Sequence, residues 1–510
     1  MFFKNNKLFK LLDIVKYIMD SEDKLIQEKK DKLEKIKEMG VNPFPYRFIS
    51  THSSDMIHDF FDKLKKEEKS ETIIKFSGRI MSKRIMGAAS FADIMDQQGR
   101  VQVYIRKNDV GNESYKLFKK YLDIGDFLGV EGKVFRTKRG ELSIYVEKLT
   151  LLSKSLRSLP EKYHGLQNSE IKYRQRYLDL IANPEVKEKF ILRSKILSSI
   201  REFLEARGFI EIDVPTLQPT YGGANAQPFK THINAWDLDL FLSISPELYL
   251  KRAIIGGFEK VYYMGKNFRN EGVDRTHNPE FTMMECYWAY RDYNDMMAFT
   301  EDLFEFVCNK LFGTTKIIYQ NKELDFAKPW KKLSMKDAIK EYANMDVDEW
   351  SDQEMKDIMD ERRIEIEGLW DRDLAIEAIF EELVEDKLIG PIFIIDHPQN
   401  TSPLCKINRD NKDLLERFEP YINTWEIGNA YSELNDPVRQ RELLLEQEER
   451  GRGGDEEAHK MDEDFVKAME YGMPPCGGLG IGIDRMVMLL TNAKSVRDII
   501  FFPTMKPENE

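Results

Sequence analysis

Apolar and polar positions change their spacing several times along this chain, and each change marks an element. From Ser21 to Met39 charged residues surround a thin apolar stripe, which predicts a solvated helix ending at Gly40 with Pro43 and Pro45 behind it. Between residues 72 and 152 the period shortens towards two. β-type runs are predicted at Ile73–Phe76, Ser90–Ile94, Val101–Ile105, Phe127–Val134 and Leu142–Val146, broken by Gly78, Gly99, Gly125 and Gly140, with one helix-like stretch at Glu113–Tyr121. A linker containing Pro160 and Gly165 follows. Beyond it, helical spacing marks Val186–Arg207 and Tyr293–Phe312, and strands are predicted at Phe209–Asp213, Leu238–Ser243, Lys260–Phe268 and Phe281–Tyr290. From Met335 to Asp386 the chain turns acidic and helical, like an insertion in the larger domain. No repeat of 20 to 50 residues stands out. The pattern therefore predicts an N-terminal helical extension (1–71), a small β domain (72–152), a linker (153–180) and a large domain (181–510) carrying the insertion at about 335–386.

Five short strands around one helix is the plan of an OB-fold, a small barrel that often holds single-stranded nucleic acid. Charge bears on that reading. Residues 75–148 hold 15 Lys/Arg against 9 Asp/Glu, a net of +6, so the rest of a chain of net charge −12 carries −18. A basic island in an acidic protein suits phosphates, and it equally suits a solvated barrel surface; charge alone leaves both open. The 42% hydrophobic and 33% charged composition excludes collagenous, low-complexity and wholly disordered classes. No run approaches the ~18 apolar residues of a membrane span, so no membrane role is expected. Cys286, Cys308, Cys405 and Cys476 lie far apart with no C-x-x-C pair, which disfavours a disulfide framework or a zinc ribbon and fits a reducing cytoplasm. The first twenty residues mix Phe and Leu with Lys4, Lys7, Lys10 and Lys16. Lacking Arg and a small-residue cleavage site, they read better as an upstream start, with Met19 opening the usual chain, than as a targeting segment.

Candidate chemistry begins with absences. There is no G-x-x-x-x-G-K-[ST] loop, no G-x-S-x-G elbow, and Gly478, Gly480 and Gly482 do not complete a G-x-G-x-x-G turn. What remains is arginine presented from strands. Arg269 and Glu271 follow one predicted strand, and His277, Asn278 and Phe281 open the next; as a hairpin they surround one cleft. A guanidinium fork grips phosphate at two points, and an aromatic face stacks a base. Near the end, the glycine-rich run Gly477–Gly482 leads into an apolar helix with Arg485 in its first turn. Taken singly, each reads more readily as a structural ion pair on an antiparallel sheet.

Together the set resembles the class II aminoacyl-tRNA synthetases, with motif 1 at Gly208–Pro215, motif 2 in the arginine hairpin and motif 3 at Gly480–Arg485. It resembles most closely the lysyl-tRNA synthetases of bacterial and eukaryotic type, over about Ile73 to Lys506, with segments such as Phe268–Tyr287 and Gly428–Asp436 nearly letter for letter. The resemblance implies an α+β fold, an N-terminal OB-fold β-barrel plus a six-stranded antiparallel sheet flanked by helices, and a homodimer built on motif 1. It implies activation of L-lysine with ATP to lysyl-adenylate and transfer of lysine to tRNA-Lys. By similarity, Arg269 holds the α-phosphate and the lysine carboxylate, Arg485 meets the γ-phosphate, Phe281 lies under the adenine, and Glu271, His277 and Asn278 contact the nucleotide. Glu419 and Glu426 match positions holding Mg²⁺ between phosphates. Glu247, Glu285, Tyr287, Asn429, Tyr431 and Glu433 match the lysine pocket, where several acids with no added base suit an ammonium. On the barrel, Phe91 and Gln102 match positions reading the central anticodon uridine, with Arg84 and Glu141 as neighbours' contacts.

Some positions depart from that pattern. Gln227 stands in Gly222–Phe229 where a basic residue is usual, Trp425 precedes Glu426 where a base can occur, and Cys476, on the approach to motif 3, reads as buried filler. Three rival readings are disfavoured: a paralogue acting on a protein or small amide, which typically lacks the barrel; a binding module with a vestigial catalytic half, which has no need of the arginines and carboxylates; and aspartyl or asparaginyl specificity, against which the pocket charge speaks.

Overall fold

The computed structural model describes residues 23–160, 166, 168–366, 370–452 and 461–508, so the expectation for the first twenty residues lies outside the described residues. The chain divides into two compact units, Met1–Leu166 and Gln167–Glu510.

In the first unit, β1 (Lys69–Met86), β2 (Ala89–Met95), β3 (Arg100–Arg106), β4 (Phe127–Arg136) and β5 (Leu142–Ser153) close into a barrel in the order β1-β2-β3-β5-β4. The first strand is far longer than the predicted Ile73–Phe76 because it serves two partners, β4 through Lys69–Arg79 and β2 through Arg79–Met86. Gly78 sits at that handover, where a Cβ would fall 2.4 Å from the Met95 carbonyl oxygen. Alternate residues such as Ile74, Phe76, Val101, Val103, Ile105, Ile144 and Val146 point inward, and Tyr115, Leu117 and Phe118 of the intervening helical segment complete the core. The helix at 23–38 is not merely solvated: Ile36 enters the same core and Lys32 Nζ pairs with Asp123 at 2.6 Å.

The second unit is built on a nine-stranded sheet. Its strands are β6 (Ile210–Glu211), β7 (Lys260–Phe268), β8 (Glu280–Ala289), β9 (Lys331–Ser334), β10 (Ile392–Ile395), β11 (Arg417–Ile422), β12 (Trp425–Glu426), β13 (Gly428–Ser432) and β14 (Cys476–Gly482). They run β9-β10-β11-β13-β14-β8-β7-β6, with β12 folded back on β11. The central six, β10 to β7, are antiparallel as expected. The sheet goes beyond that expectation: β9 and β6 add parallel edges. The strand predicted at Phe209–Asp213 shrinks to two residues because only Ile210 and Glu211 pair with β7.

Five helices matter for the site: α1 (Pro184–Glu205), α2 (Glu247–Ile255), α3 (Tyr293–Phe312), α4 (Arg372–Leu383) and α5 (Ile483–Leu490). Asp292 caps α3 with a reciprocal capping box and Gly313 ends it at φ 68°, so its bounds coincide with the predicted period. Ile196, Ile200 and Phe203 of α1 and Phe299, Leu303 and Phe304 of α3 pack with Met284, Cys286, Phe418, Leu479 and Ile481 of the sheet. One sheet face is thus buried. The insertion has its own core, in which Met335, Met355, Ile376, Ile379 and Phe380 meet Tyr421 of β11.

Candidate active site

Strand alternation places the site. On β8, β13 and β14, Met284, Cys286, Ala430, Leu479 and Ile481 enter the core, so the residues between them face the other way. There a cleft of about 640 Å³ is lined by Phe281, Glu285 and Tyr287, by Asn429, Tyr431 and Glu433, and by Gly478, Gly480 and Gly482. The glycines have a steric cause: a Cβ on Gly478 would fall 1.9 Å from Glu433 Oε1. The cleft also gathers Glu247, Arg269, Glu271, His277, Asn278, Glu419, Glu426 and Arg485, so every site residue expected in this unit lines one cavity.

At its cationic end, Arg269 follows β7, and its backbone N–H donates to Pro279 O at 3.0 Å. Its Nε is buried with no hydrogen-bond partner, and its guanidinium lies 5.2 Å from the Phe281 ring centre. Arg485 Nη2 lies 2.9 Å from His277 Nε2, whose other ring nitrogen is 2.8 Å from Asp274 Oδ2; Arg485 Nη1 faces Glu426 Oε2 at 3.3 Å. Asp484 anchors α5 by accepting the Thr282 N–H at 2.8 Å and pairing with Arg193 at 2.7 Å. Asn278 Nδ2 donates to Glu280 O at 2.6 Å, while its Oδ1 is buried without a partner. The Gly222–Phe229 loop is tied to the hairpin at its atypical residue: the Gln227 N–H donates to Glu271 Oε1 at 3.3 Å, and Gln227 O accepts the Asn270 N–H at 2.8 Å.

A carboxylate group occupies the middle. Glu419 accepts from Arg417 Nη2 at 2.6 Å and from the Tyr421 hydroxyl at 3.1 Å. Burial, and then the charge of Glu419, pushes the Glu426 carboxyl above its usual range. Sequence reasoning missed the other members. Glu377 and Glu381 of α4, with Glu385 just beyond, line the cleft, and so do Arg417 and Tyr421. Arg417 Nη1 pairs with Glu377 at 3.2 Å, and Tyr421 Oη donates to Glu385 Oε1 at 2.7 Å. Their i, i+4 spacing was the available signal, hidden because the insertion read as a separate helical body. Burial raises Glu377 to about 7, with Glu419 adding and Arg417 opposing. Among the described residues no group of three or more His, Cys, Asp or Glu is arranged to hold a metal alone.

Three buried glutamates form the far end. Glu285 accepts from Ser245 Oγ at 2.8 Å and from the Tyr287 hydroxyl at 3.0 Å. The Tyr431 hydroxyl lies 2.8 Å from both oxygens of Glu247, and Asn429 Oδ1 accepts from Arg417 Nε at 3.1 Å. Burial and the neighbouring Glu247 push the Glu285 carboxyl up. The expectation of acids with no added base is corrected here. Lys251 of α2, fully buried, places Nζ 2.5 Å from Glu247 Oε1 and pairs also with Glu433. One helical turn separates Glu247 from Lys251, a relation that a motif match does not expose.

The barrel carries the remaining residues. Phe91 packs on Tyr104 with ring centres 4.7 Å apart, and Tyr104 continues to Phe135 at 5.9 Å and Tyr145 at 5.7 Å. Gln102 accepts from Ser143 Oγ at 3.1 Å; the Arg84 guanidinium stands 5.9 Å from the Phe91 ring centre; and Glu141 lies exposed after the β4–β5 turn.

A family model described as "tRNA synthetases class II (D, K and N)" matches residues 168–506. The chain belongs to the class II tRNA synthetases. A second model, "OB-fold nucleic acid binding domain", matches residues 74–152, so the barrel of this class II synthetase is accounted for as well. The chain is similar to a lysine–tRNA ligase of Clostridium novyi (strain NT), 50% identical over 489 residues covering 95% of this chain and 94% of that one. It is similar to one of Thermoanaerobacter sp. (strain X514), 51% identical over 491 residues covering 96% and 97%. A third, of Pelotomaculum thermopropionicum, is 50% identical over 504 residues covering 98% of each. Among the described residues of this synthetase no helix is long and apolar enough to cross a membrane.

Proposed function

We propose that this chain is a lysine–tRNA ligase that activates L-lysine with ATP and passes the lysyl group to tRNA-Lys. The family description spans three amino-acid choices, so the choice rests on the pocket. Three buried glutamates against one lysine leave it net negative, which suits an ammonium side chain and repels a carboxylate. That observation carries the reading, and relatives named for lysine at about half identity support it.

The chemistry is displacement. A lysine carboxylate oxygen attacks the α-phosphorus, the bond to the β-phosphate oxygen breaks, and pyrophosphate leaves. A terminal ribose hydroxyl of the tRNA then attacks the lysyl carbonyl, and AMP departs. Arg269 faces the α-phosphate and the substrate carboxylate, Arg485 the γ-phosphate, Phe281 the adenine, and Glu271, His277 and Asn278 the rest of the nucleotide. The residues work by positioning and by preorganised charge. Glu419 and Glu426 would hold Mg²⁺: they are two hard carboxylates, and burial together with the charge of Glu419 pushes the Glu426 carboxyl up, which a cation would relieve. When bound, Mg²⁺ neutralises phosphate charge. Phe91 and Gln102 are assigned to the central anticodon base, with Arg84 and Glu141 beside them. Residues 1–71, 72–152, 153–180 and 181–510 are the proposed extension, anticodon domain, linker and catalytic domain. The exposed edge strand β6, with Ile210 49% exposed, suits a homodimer, and a cytoplasmic location completes the reading.

Amino-acid-dependent ATP–pyrophosphate exchange tests it, with each of the twenty amino acids separately. Exchange with lysine alone is the expected result. Exchange with another amino acid overturns the pocket assignment, and exchange with none overturns the activation reading.

A further inference from the structure

Lys251 stands on α2 four residues after Glu247, so both side chains lie on one helix face. It does not line the cleft. It stands behind Glu247 and Glu433, which do, and its ammonium is fully buried between them. Two consequences follow. Lys251 engages Oε1 of Glu247 and Oε2 of Glu433, leaving Glu433 Oε1 buried without a hydrogen-bond partner beside the bare Gly478. Charge also balances. Glu247, Glu285 and Glu433 with Lys251 and Arg269 leave one net negative, and free lysine, with two ammonium groups and one carboxylate, carries one net positive. Without Lys251 the count becomes two net negative and Glu247 and Glu433 lose their buried cation, a state relieved by taking up a proton.

We propose that Lys251 is a positioning residue for amino-acid selection: it fixes Glu247 and Glu433 and sets the pocket's charge to match one doubly cationic amino acid. This rests on the lysine reading above. The barrel has a buried counterpart, Lys154 with Asp123 and Asp126, but no site residue is among its partners; Lys251 holds two residues that face substrate.

The test is Lys251→Met in lysine-dependent ATP–pyrophosphate exchange from pH 6.5 to 8.5. The KM for lysine is expected to rise about tenfold or more while the KM for ATP stays within about twofold. The buried carboxylates should now share a proton, so the lysine KM falls as pH rises, more steeply than in the parent. Lys251→Arg keeps a cation between Glu247 and Glu433 and should hold the lysine KM within about threefold of the parent, without the added pH slope. A methionine variant with the parent's lysine KM and pH profile overturns the proposal, and so does an arginine variant no better than the methionine one. If thermal unfolding shows that the methionine variant does not fold, Lys251→Gln takes its place, and the parent's lysine KM and pH profile in that variant overturn the proposal. A parent protein without lysine-dependent exchange overturns the lysine reading and this inference with it.

Discussion

Arg269 directly follows β7 with Nε buried and unpartnered, a state that costs about 1–3 kcal/mol unless an anion completes it. Its place beside Phe281 in the cleft suits the proposed anion, one shared by nucleotide and amino acid. Arg269→Ala should therefore lower kcat for lysine-dependent exchange by about 100-fold or more while shifting the unfolding temperature by no more than about 2 °C. Arg269→Lys should recover little, because an ammonium lacks the planar fork. Exchange kinetics with thermal unfolding checks both. Residues of this kind were legible in the sequence, since Arg269, Phe281 and Arg485 sit inside contiguous motifs. Lys251, Arg417 and Tyr421 were not. Each acts through a contact one helical turn or one strand repeat away, and each alone has an ordinary structural explanation.

At the scale of elements, the legible part was the long periodic segments. The illegible part was pairing: that β1 would serve two partners, that β6 would keep two residues, and that α4 would turn carboxylates towards β11. Alternation on β14 gives one testable consequence. Gly478→Ala puts a methyl group against Glu433 Oε1 and 2.7 Å from the Tyr287 ring, so a buried wall must move. The lysine KM should rise at least about tenfold, with about 1–3 kcal/mol of stability lost, as read by exchange kinetics and denaturant unfolding. Helix α4 gives another. Glu377 is raised to about 7 in the folded protein from an ordinary 4.5, so the folded state binds its proton more tightly than the unfolded chain does. Its contribution to stability falls as pH rises between those values. Glu377→Gln cannot ionise. Its stability relative to the parent should climb from pH 5 to pH 8 by about 1–2 kcal/mol, allowing for partial solvent access, and unfolding at the two pH values would show no such climb if the carboxyl were ordinary.

For the whole molecule, the division of charge matters more than its sum. A barrel segment of net +6 within a chain of −12 concentrates phosphate attraction on one unit, while the cleft holds Arg269 and Arg485, the arginines proposed for nucleotide. Amino-acid activation and anticodon reading are then separable by mutation. Phe91 offers an aromatic face, and stacking one base is worth about 1–3 kcal/mol. Phe91→Ala should therefore lower kcat/KM for charging tRNA-Lys by about 10- to 100-fold, with the loss appearing mainly in the KM for tRNA. Lysine-dependent exchange without tRNA should stay within about twofold, because no atom of the cleft is touched. Raising the salt concentration should weaken tRNA charging in parent and variant alike, since phosphate contacts persist when the ring is gone. Equal loss of exchange and charging would mean that Phe91 supports folding instead of reading a base, and the aromatic row from Phe91 to Tyr145 would then be barrel packing.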